Sequence, residues 1–255
     1  MDEARAFLVA AFEELGGLVV LNSMVANNTH RMLDRDEFRG FTLQSRFAPL
    51  VFVNANDTKN GQIFSLLHEF AHVWRGESGV SQGGDPLRDR ATEHERWCDA
   101  VAAEVAVPAI DLETVFDPVA DLTAELDRLS SRYWCSTLVT LLRLKETGLV
   151  PSAGFAEMYE NELGRLLTIL SEEKKSNGGD FYNNQTFRVG KKLGQAIIRD
   201  TLIGSTPMTE ALRLLAFGRI AMFDKYAAKA ATLFDEAAVE LGSSQRSAVH
   251  PSGAR

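Results

Sequence analysis

The chain has 255 residues, enough for one large domain or two small ones around a buried core. Its hydrophobic share of 45% and charged share of 24% are those of a globular protein, and its net charge of −8 excludes binding to nucleic acid through overall charge. The apolar runs are too short to span a bilayer, and two cysteines exclude a disulfide framework.

The first part of the sequence predicts one helix and three strands. Residues 1–5 lack the basic and apolar segments of a secretory signal, so we expect a cytoplasmic protein. Apolar side chains at helical spacing predict a helix over residues 3–15, which ends at Gly16-Gly17. Short runs of strand-forming residues predict strands at 18–23, 41–45 and 50–54.

Two helices are predicted after the third strand. An N-cap at Asp57-Thr58 and a stop at Gly76 delimit the first. The segment 76–86, GESGVSQGGDP, is rich in turn-forming residues and predicts a loop. The second helix, over residues 91–107, precedes Pro108, which cannot continue it.

From Asp111 onward the sequence predicts helices alone. Two amphipathic helices are separated by a short break at Trp134-Cys135, with Ser136 as the N-cap of the second. The remaining predictions are a linker at 176–180, helices at 184–202 and 206–217, and a disordered tail at 242–255.

The strongest chemical signal is His68-Glu69-Phe70-Ala71-His72. On a helix the two histidines lie one turn apart on one face, so both imidazoles can bind one ion. Zinc prefers such ligands, and Glu69 can act as general base towards water on the ion. The alternative is that chance placed three polar residues on one helix. Apolar neighbours predict a largely buried helix: Leu66, Leu67, Phe70, Ala71, Val73 and Trp74. Because unpaired polar groups are costly to bury, a metal ion that pairs them is favoured.

A catalytic zinc site of this kind needs a third protein ligand, and the next helix offers five candidates: Glu93, His94, Glu95, Asp99 and Glu104. Glu95 and Asp99 share a helix face, whereas Glu93 lies on a different face. His94 points about 100° away from Glu95 around the helix axis. With Glu95 as ligand, Asp99 can accept a hydrogen bond from a ligating histidine and fix its ring. The alternative is a solvated charged face. Cys98 is expected to be a small core residue.

Two segments together resemble the ImmA/IrrE family of zinc metallo-endopeptidases: FRGFTLQSRFAPLVFVNANDTKNGQIFSLLHEFAHVWRGESGVS and, after it, ERWCDAVAAEVAVP. The resemblance covers about residues 17–110. It implies an α+β fold with a minimal, gluzincin-like core, which is a small antiparallel or mixed sheet plus the HExxH helix. It also implies one catalytic zinc ion, with ligands His68, His72 and Glu95 and with Glu69 as the catalytic residue. The family commonly has Ala-Asn where this chain has Cys98-Asp99, and the Asp99 carboxylate can do what the asparagine oxygen does.

The implied domain order begins with this peptidase core at residues 1–110. It is followed by a helical region with a helix-turn-helix-like pair at 111–175, a further helical region at 181–241 and the disordered tail at 242–255. The pair, at 122–150, also resembles more weakly the helix-turn-helix-like part that follows the core in some family members. Ordinary packing and contact with DNA or a repressor both remain open for it.

The predicted function is that of a zinc-dependent endopeptidase in which Glu69 activates the attacking water. Family members of known role act in bacteria and phages, where they cleave or derepress helix-turn-helix repressors after DNA damage or other stress. The resemblance therefore implies a repressor as substrate in a stress, DNA-damage or defence response, with DNA as a contact or trigger and no membrane partner. His30, Arg31 or Arg39 can stabilise the oxyanion. The strand at 50–54 can be the edge to which an extended substrate adds.

Two other functional classes stay open. The first is a regulatory module with a zincin-like fold, whose metal is structural and which binds DNA or a partner protein. The second is a toxin–antitoxin component whose peptidase activity is vestigial. The presence of Glu69 favours the enzyme, because a structural metal site has no need of a general base.

Overall fold

The computed structural model describes residues 2–25, 28, 30–34, 37–81, 92–172, 185–186 and 188–230. The chain divides into two compact units, residues 1–178 and 179–255, and each is described by itself. The predicted linker at 176–180 and the predicted disordered tail at 242–255 lie outside the described residues.

The first unit contains a four-stranded mixed sheet. Its strands are β1 (Leu18–Asn22), β2 (Gly40–Leu43), β3 (Leu50–Asn54) and β4 (Gly79–Ser81). Their order in the sheet is β1-β3-β2-β4, with β1 and β3 parallel and the other two pairs antiparallel. The sheet and the helices around it confirm the predicted α+β fold.

Two predictions about strands are wrong. β3 lies between β1 and β2, so it is a central strand and cannot be the edge to which a substrate adds. Its apolar run, LVFV, is compatible with a buried strand but does not show which strands pair with it. The segment predicted as a loop contains β4, which at three residues is too short to show the alternation that marks a strand.

The helices described in the first unit surround this sheet or follow it. They are α1 (Asp2–Glu14), α2 (Lys59–Arg75), α3 (Glu93–Ala106), α4 (Ala109–Val115), α5 (Leu122–Tyr133), α6 (Thr137–Glu146) and α7 (Phe155–Glu172). Within the described ranges, no helix combines the length and the apolar character that crossing a membrane requires.

A hydrophobic core joins α1 and α2 to one face of the sheet. Phe12 of α1 stacks on Phe70 of α2, with ring centroids 4.2 Å apart and ring planes 6° apart. The other buried members of this core are Val19, Leu21, Val51, Val53 and Leu66. Leu66 and Phe70 therefore pack α2, the helix that carries both histidines, against the strands.

α2 begins and ends where the sequence predicts. Thr58 is its N-cap, and the Thr58 hydroxyl accepts a hydrogen bond from the Gly61 N–H at 3.1 Å. Gly76 ends the helix in a left-handed conformation, with φ at 75°. Burial along the helix stops at His72, so the prediction that Trp74 is buried is wrong: it lies in the last turn and is 67% exposed.

α5 and α6 form the helix pair that the sequence predicts. Trp134 between them adopts a left-handed backbone conformation, with φ at 52°, and Ser136 is the N-cap of α6. Arg143 of α6 is buried and pairs with Glu104 and Glu146. The charge of this arginine is therefore satisfied by contacts inside the unit.

The described part of the second unit is helical. It contains α8 (Lys191–Leu202), α9 (Met208–Leu214) and a helix over residues 220–230. The helix predicted over 184–202 is interrupted at Gly190, since residues 185–186 and 188–189 are helical and α8 begins only at Lys191. α9 begins two residues later than the predicted segment 206–217. The buried core is formed by Val189, Ile197, Ile198, Ala211, Leu215, Phe217, Phe223, Tyr226 and Ala230.

α9 ends with a tight turn at Ala216. The N–H of Phe217 donates to the Leu212 carbonyl at 2.8 Å, and the N–H of Ala216 donates to the Arg213 carbonyl at 3.1 Å. This pair of bonds is the Schellman motif, in which the residue at the position of Ala216 is usually glycine. Ala216 has φ at 51°, a left-handed conformation that is unfavourable for a residue with a Cβ.

Candidate metal centre

Two neighbouring helices bring three metal-binding side chains together. α2 supplies His68 and His72, and α3 supplies Glu95. One ligand atom from each residue lies within 4.8 Å of the others. Nε2 of His68 is 3.1 Å from Nε2 of His72 and 3.1 Å from Oε2 of Glu95, and Nε2 of His72 is 3.5 Å from Oε1 of Glu95. We call these three residues the metal cluster.

Local structure explains how α2 and α3 place these side chains. The spacing of four residues puts both imidazoles on one face of α2, where the histidines are 6% and 3% exposed. α3 begins after Thr92, whose hydroxyl accepts the Glu95 N–H at 3.2 Å. Cys98 and Ala102 lie on the same face of α3 as Glu95 and are fully buried, and Ala102 packs against apolar residues of α2. This face therefore turns Glu95 towards the histidines.

Asp99 holds one of the two imidazoles. Its Oδ1 lies 2.8 Å from Nδ1 of His68. An Nδ1–H that donates to this carboxylate leaves the lone pair on Nε2, which faces His72 and Glu95. His72 has no equivalent support, since its Nδ1 is buried without a hydrogen-bond partner among the described residues. The two histidines are thus held differently.

The metal cluster attracts positive charge. Burial by itself lowers the pKa of His68, but hydrogen bonds to Asp99 and Glu95 outweigh burial and raise this pKa to about 9. Burial and the nearby charge of His68 lower the pKa of His72. The hydrogen bond from His68 lowers the pKa of Glu95. At neutral pH the cluster therefore favours one positive charge, on His68, beside the ionised Glu95 carboxylate.

These residues fit a divalent metal ion. Two imidazole nitrogens and one carboxylate oxygen form a donor set that zinc accepts in catalytic sites, where three protein ligands leave one position open. An ion at the cluster takes the place of the proton that His68 attracts. Cys98 is not among the residues whose ligand atoms converge at the cluster. Without metal, burial and after it the charge of Glu95 raise the pKa of its thiol to about 12.

Glu69 lies beside the metal cluster and contacts β2. It is 1% exposed, and its charge contributes to the raised pKa of His68. The Thr42 hydroxyl lies 2.7 Å from Oε2 of Glu69 and 3.0 Å from the Glu69 backbone carbonyl oxygen. A Cβ on Gly40 would lie 2.8 Å from Oε1 of Glu69, so the absence of a side chain there leaves room for the carboxylate.

Sequence reasoning missed these two residues of β2. The signal was present, because strand alternation in Gly40-Phe41-Thr42 places the first and third residues on the same face. What the sequence lacks is the identity of the helix that this face meets.

β4 runs next to the second histidine. A Cβ on Gly79 would lie 3.4 Å from Cε1 and 3.5 Å from Nδ1 of His72. Gly79 pairs with Thr42 of β2. The cross-strand pair of Thr42 and Gly79 therefore contacts Glu69 through Thr42 and His72 through Gly79.

Within the described residues, no hydrogen bond or ion pair joins the remaining candidates, His94, His30, Arg31 and Arg39, to the metal cluster. His94 is exposed, and its Nδ1 lies 2.8 Å from Oε2 of Glu77. His30, Arg31 and Arg39 are also exposed. Their role at an oxyanion stays a prediction.

The family model that matches the sequence is the IrrE N-terminal-like domain, a peptidase family, and it covers residues 12–145, more than half of the chain. The chain belongs to the ImmA/IrrE family of metallopeptidases. The match includes the sheet, the metal cluster and the α5–α6 pair of this ImmA/IrrE protein. Residues 189–229, in the second unit, match a domain of unknown function, DUF8813. No curated protein and no solved structure matches the chain.

Proposed function

We propose that this ImmA/IrrE protein is a zinc-dependent endopeptidase that hydrolyses a peptide bond of a protein substrate in the cytoplasm. The observation that carries the proposal is the convergence of His68, His72 and Glu95 next to a buried glutamate, Glu69. A metal site that serves structure alone has no use for that glutamate.

The proposed mechanism assigns a separate task to each residue. Zinc, when bound, supplies a Lewis acid that acidifies water and polarises the scissile carbonyl. His68, His72 and Glu95 hold the ion, and Asp99 keeps the Nε2 lone pair of His68 directed at it. The Glu69 carboxylate accepts the proton of the attacking water and then passes it to the amine nitrogen of the leaving group.

An extended substrate segment has one edge of the sheet to which it can add near the cluster. β4 is the edge strand next to β2, and among the described residues no strand pairs with its other side. Gly79 of β4 lies against His72, and Val80 is 62% exposed. Main-chain hydrogen bonds to β4 would hold a substrate backbone beside the ion, with little dependence on substrate side chains.

For the substrate we propose a helix-turn-helix transcriptional repressor in a bacterial or phage stress, DNA-damage or defence response. This part rests on the family resemblance and not on the geometry. A repressor is a chemically reasonable substrate when a linker between its domains can adopt an extended conformation, since strand addition requires one.

The experiment uses Glu69→Gln, because glutamine fills the same volume but cannot accept the proton. Wild-type and Glu69→Gln chains are purified for zinc analysis, and both are expressed in bacterial cells before and after DNA damage. Mass spectrometry of new protein N-termini then identifies cleavage products in the whole proteome, so no substrate has to be chosen beforehand. We expect about one zinc per chain in both proteins and new N-termini only with the wild-type chain.

Glu93→Gln is the matched control, since Glu93 is an exposed residue on α3 and should change neither zinc content nor cleavage. Fragments of a repressor support the proposed substrate, and fragments of another protein replace it. If Glu69→Gln yields the same N-termini as the wild-type chain, the peptidase proposal fails. The binding module with a structural metal then becomes the better account.

A further inference from the structure

We propose that Thr42 is a positioning residue for Glu69 and that Gly40 provides the space in which the Glu69 carboxylate lies; this inference rests on the proposed function. Both residues belong to β2, and both contact the carboxylate. Neither is part of the metal cluster. Their effect is therefore on the general base and not on the ion.

The contacts of the Thr42 hydroxyl fix the conformation of Glu69. The hydroxyl lies 2.7 Å from Oε2 and 3.0 Å from the carbonyl oxygen of the same residue. It has one proton to donate, and the nearer, charged oxygen is the stronger acceptor. Donation to Oε2 therefore ties the Glu69 carboxylate to the Thr42 side chain of β2 and restricts the torsions of the Glu69 side chain.

Gly40 contacts the other carboxylate oxygen. A Cβ at this position would lie 2.8 Å from Oε1, 3.1 Å from Cγ of Glu69 and 2.8 Å from the Phe52 carbonyl oxygen. A side chain there would displace either the carboxylate or β3. Gly40 and Thr42 thus limit the carboxylate at one oxygen each.

Burial makes this arrangement stiff. Thr42 is fully buried and Glu69 is 1% exposed. Thr42 is also paired on both sides, with Val51 of β3 and Gly79 of β4, so the hydroxyl is attached to the middle of the sheet. A general base gains from such fixation because proton transfer depends closely on the position of the accepting oxygen.

The test compares Thr42→Val, which removes the hydroxyl at nearly constant volume, with Thr42→Ser, which retains it. Thr140→Val is the matched control. Thr140 is also fully buried, and its hydroxyl donates to a backbone carbonyl, that of Ser136 at 3.2 Å, but it lies on α6. The zinc-loaded full chain is titrated with acetohydroxamic acid, which binds zinc through two oxygens and gives its hydroxyl proton to a neighbouring base.

Glu69→Gln establishes how strongly this probe depends on the base. Thr42→Val should weaken acetohydroxamate binding roughly 10-fold or more, because hydrogen bonds to charged groups are among the stronger ones. Thr42→Ser should restore most of the affinity, and Thr140→Val should bind the probe like the wild-type chain. Zinc content should be the same in all of these variants.

Different outcomes separate this inference from the proposed function. If Thr42→Val binds the probe as tightly as the wild-type chain, or if Thr42→Ser binds it as weakly as Thr42→Val, then Thr42 is structural and the inference is wrong while the peptidase proposal stands. A wild-type chain that takes up no zinc, or whose zinc binds no acetohydroxamate, overturns both.

Discussion

The hydrogen bond between Asp99 and His68 makes a quantitative prediction for metal affinity. Asp99→Ala removes the 2.8 Å contact that keeps the Nε2 lone pair of His68 directed at the cluster. Loss of such a partner weakens metal binding roughly 10- to 100-fold. Asp99→Asn retains an acceptor oxygen, so its effect should be several-fold smaller.

Competition between zinc and the proton on His68 determines at which pH this loss of affinity is largest. The pKa of His68 is about 9, so at pH 7 a proton must leave before the ion binds, which weakens the apparent affinity roughly 100-fold. Removal of Asp99 lowers that pKa and relieves part of the competition. The measured loss of affinity in Asp99→Ala should therefore be smaller at pH 7 than at pH 9.

The assay is competition for zinc with a fluorescent chelator at both pH values. Glu93→Ala is the control, because it removes a carboxylate from the exposed face of α3 without contact with His68. An Asp99→Ala chain with wild-type zinc affinity at pH 9 would refute the assigned role of Asp99. An equal loss at both pH values would instead show that Asp99 does not raise the pKa of His68.

Three further predictions follow from particular contacts. Glu95→Gln should lower zinc affinity roughly 10-fold or more by removing a charged ligand, whereas Glu93→Gln should not; metal analysis showing the reverse order would assign the third ligand to Glu93. When a chelator removes the metal, protonated His68 stabilises the folded chain fully below pH 6.5 and no longer above about pH 9, because folding raises its pKa. The melting temperature should therefore fall between these two pH values in the wild-type chain and not in His68→Gln. Ala216→Gly should raise the free energy of unfolding of the second unit by about 1 kcal/mol, because glycine adopts the left-handed conformation without strain. Ala196→Gly, at an exposed position inside α8, should lower it by about 1 kcal/mol. Urea titrations measure both changes.

The parts of the fold that local rules determine could be predicted from the sequence. The N-cap at Thr58 and the stop at Gly76 follow from hydrogen bonds within a few residues, and both are confirmed. The same holds for Ser136, which caps α6. The spacing of His68 and His72 on one face is also a local property of a helix.

Strand pairing could not be predicted, because it depends on residues far apart in the chain. β1 pairs with β3, although β2 comes between them in the sequence. The three residues of β4 form a strand through their pairing with β2. The contact between Thr42 and Glu69 needs this register, since a shift of one residue in β2 would turn the hydroxyl to the other face. For the same reason the sequence alone predicts the wrong strand as the substrate edge.

The division of the metal cluster between α2 and α3 has a mechanical consequence. His72 and Glu95 are well separated along the chain, and an ion bound to both closes that loop as a covalent bridge would. Because the ligands come together only in the folded chain, the ion binds that state alone and stabilises it by mass action, by about 2.7 kcal/mol when free zinc is one hundred times the dissociation constant. Unlike a disulfide, this bridge forms when the metal ion binds and is lost when the ion dissociates. Loading of the chain with metal and stiffening of its α2–α3 framework are therefore a single event.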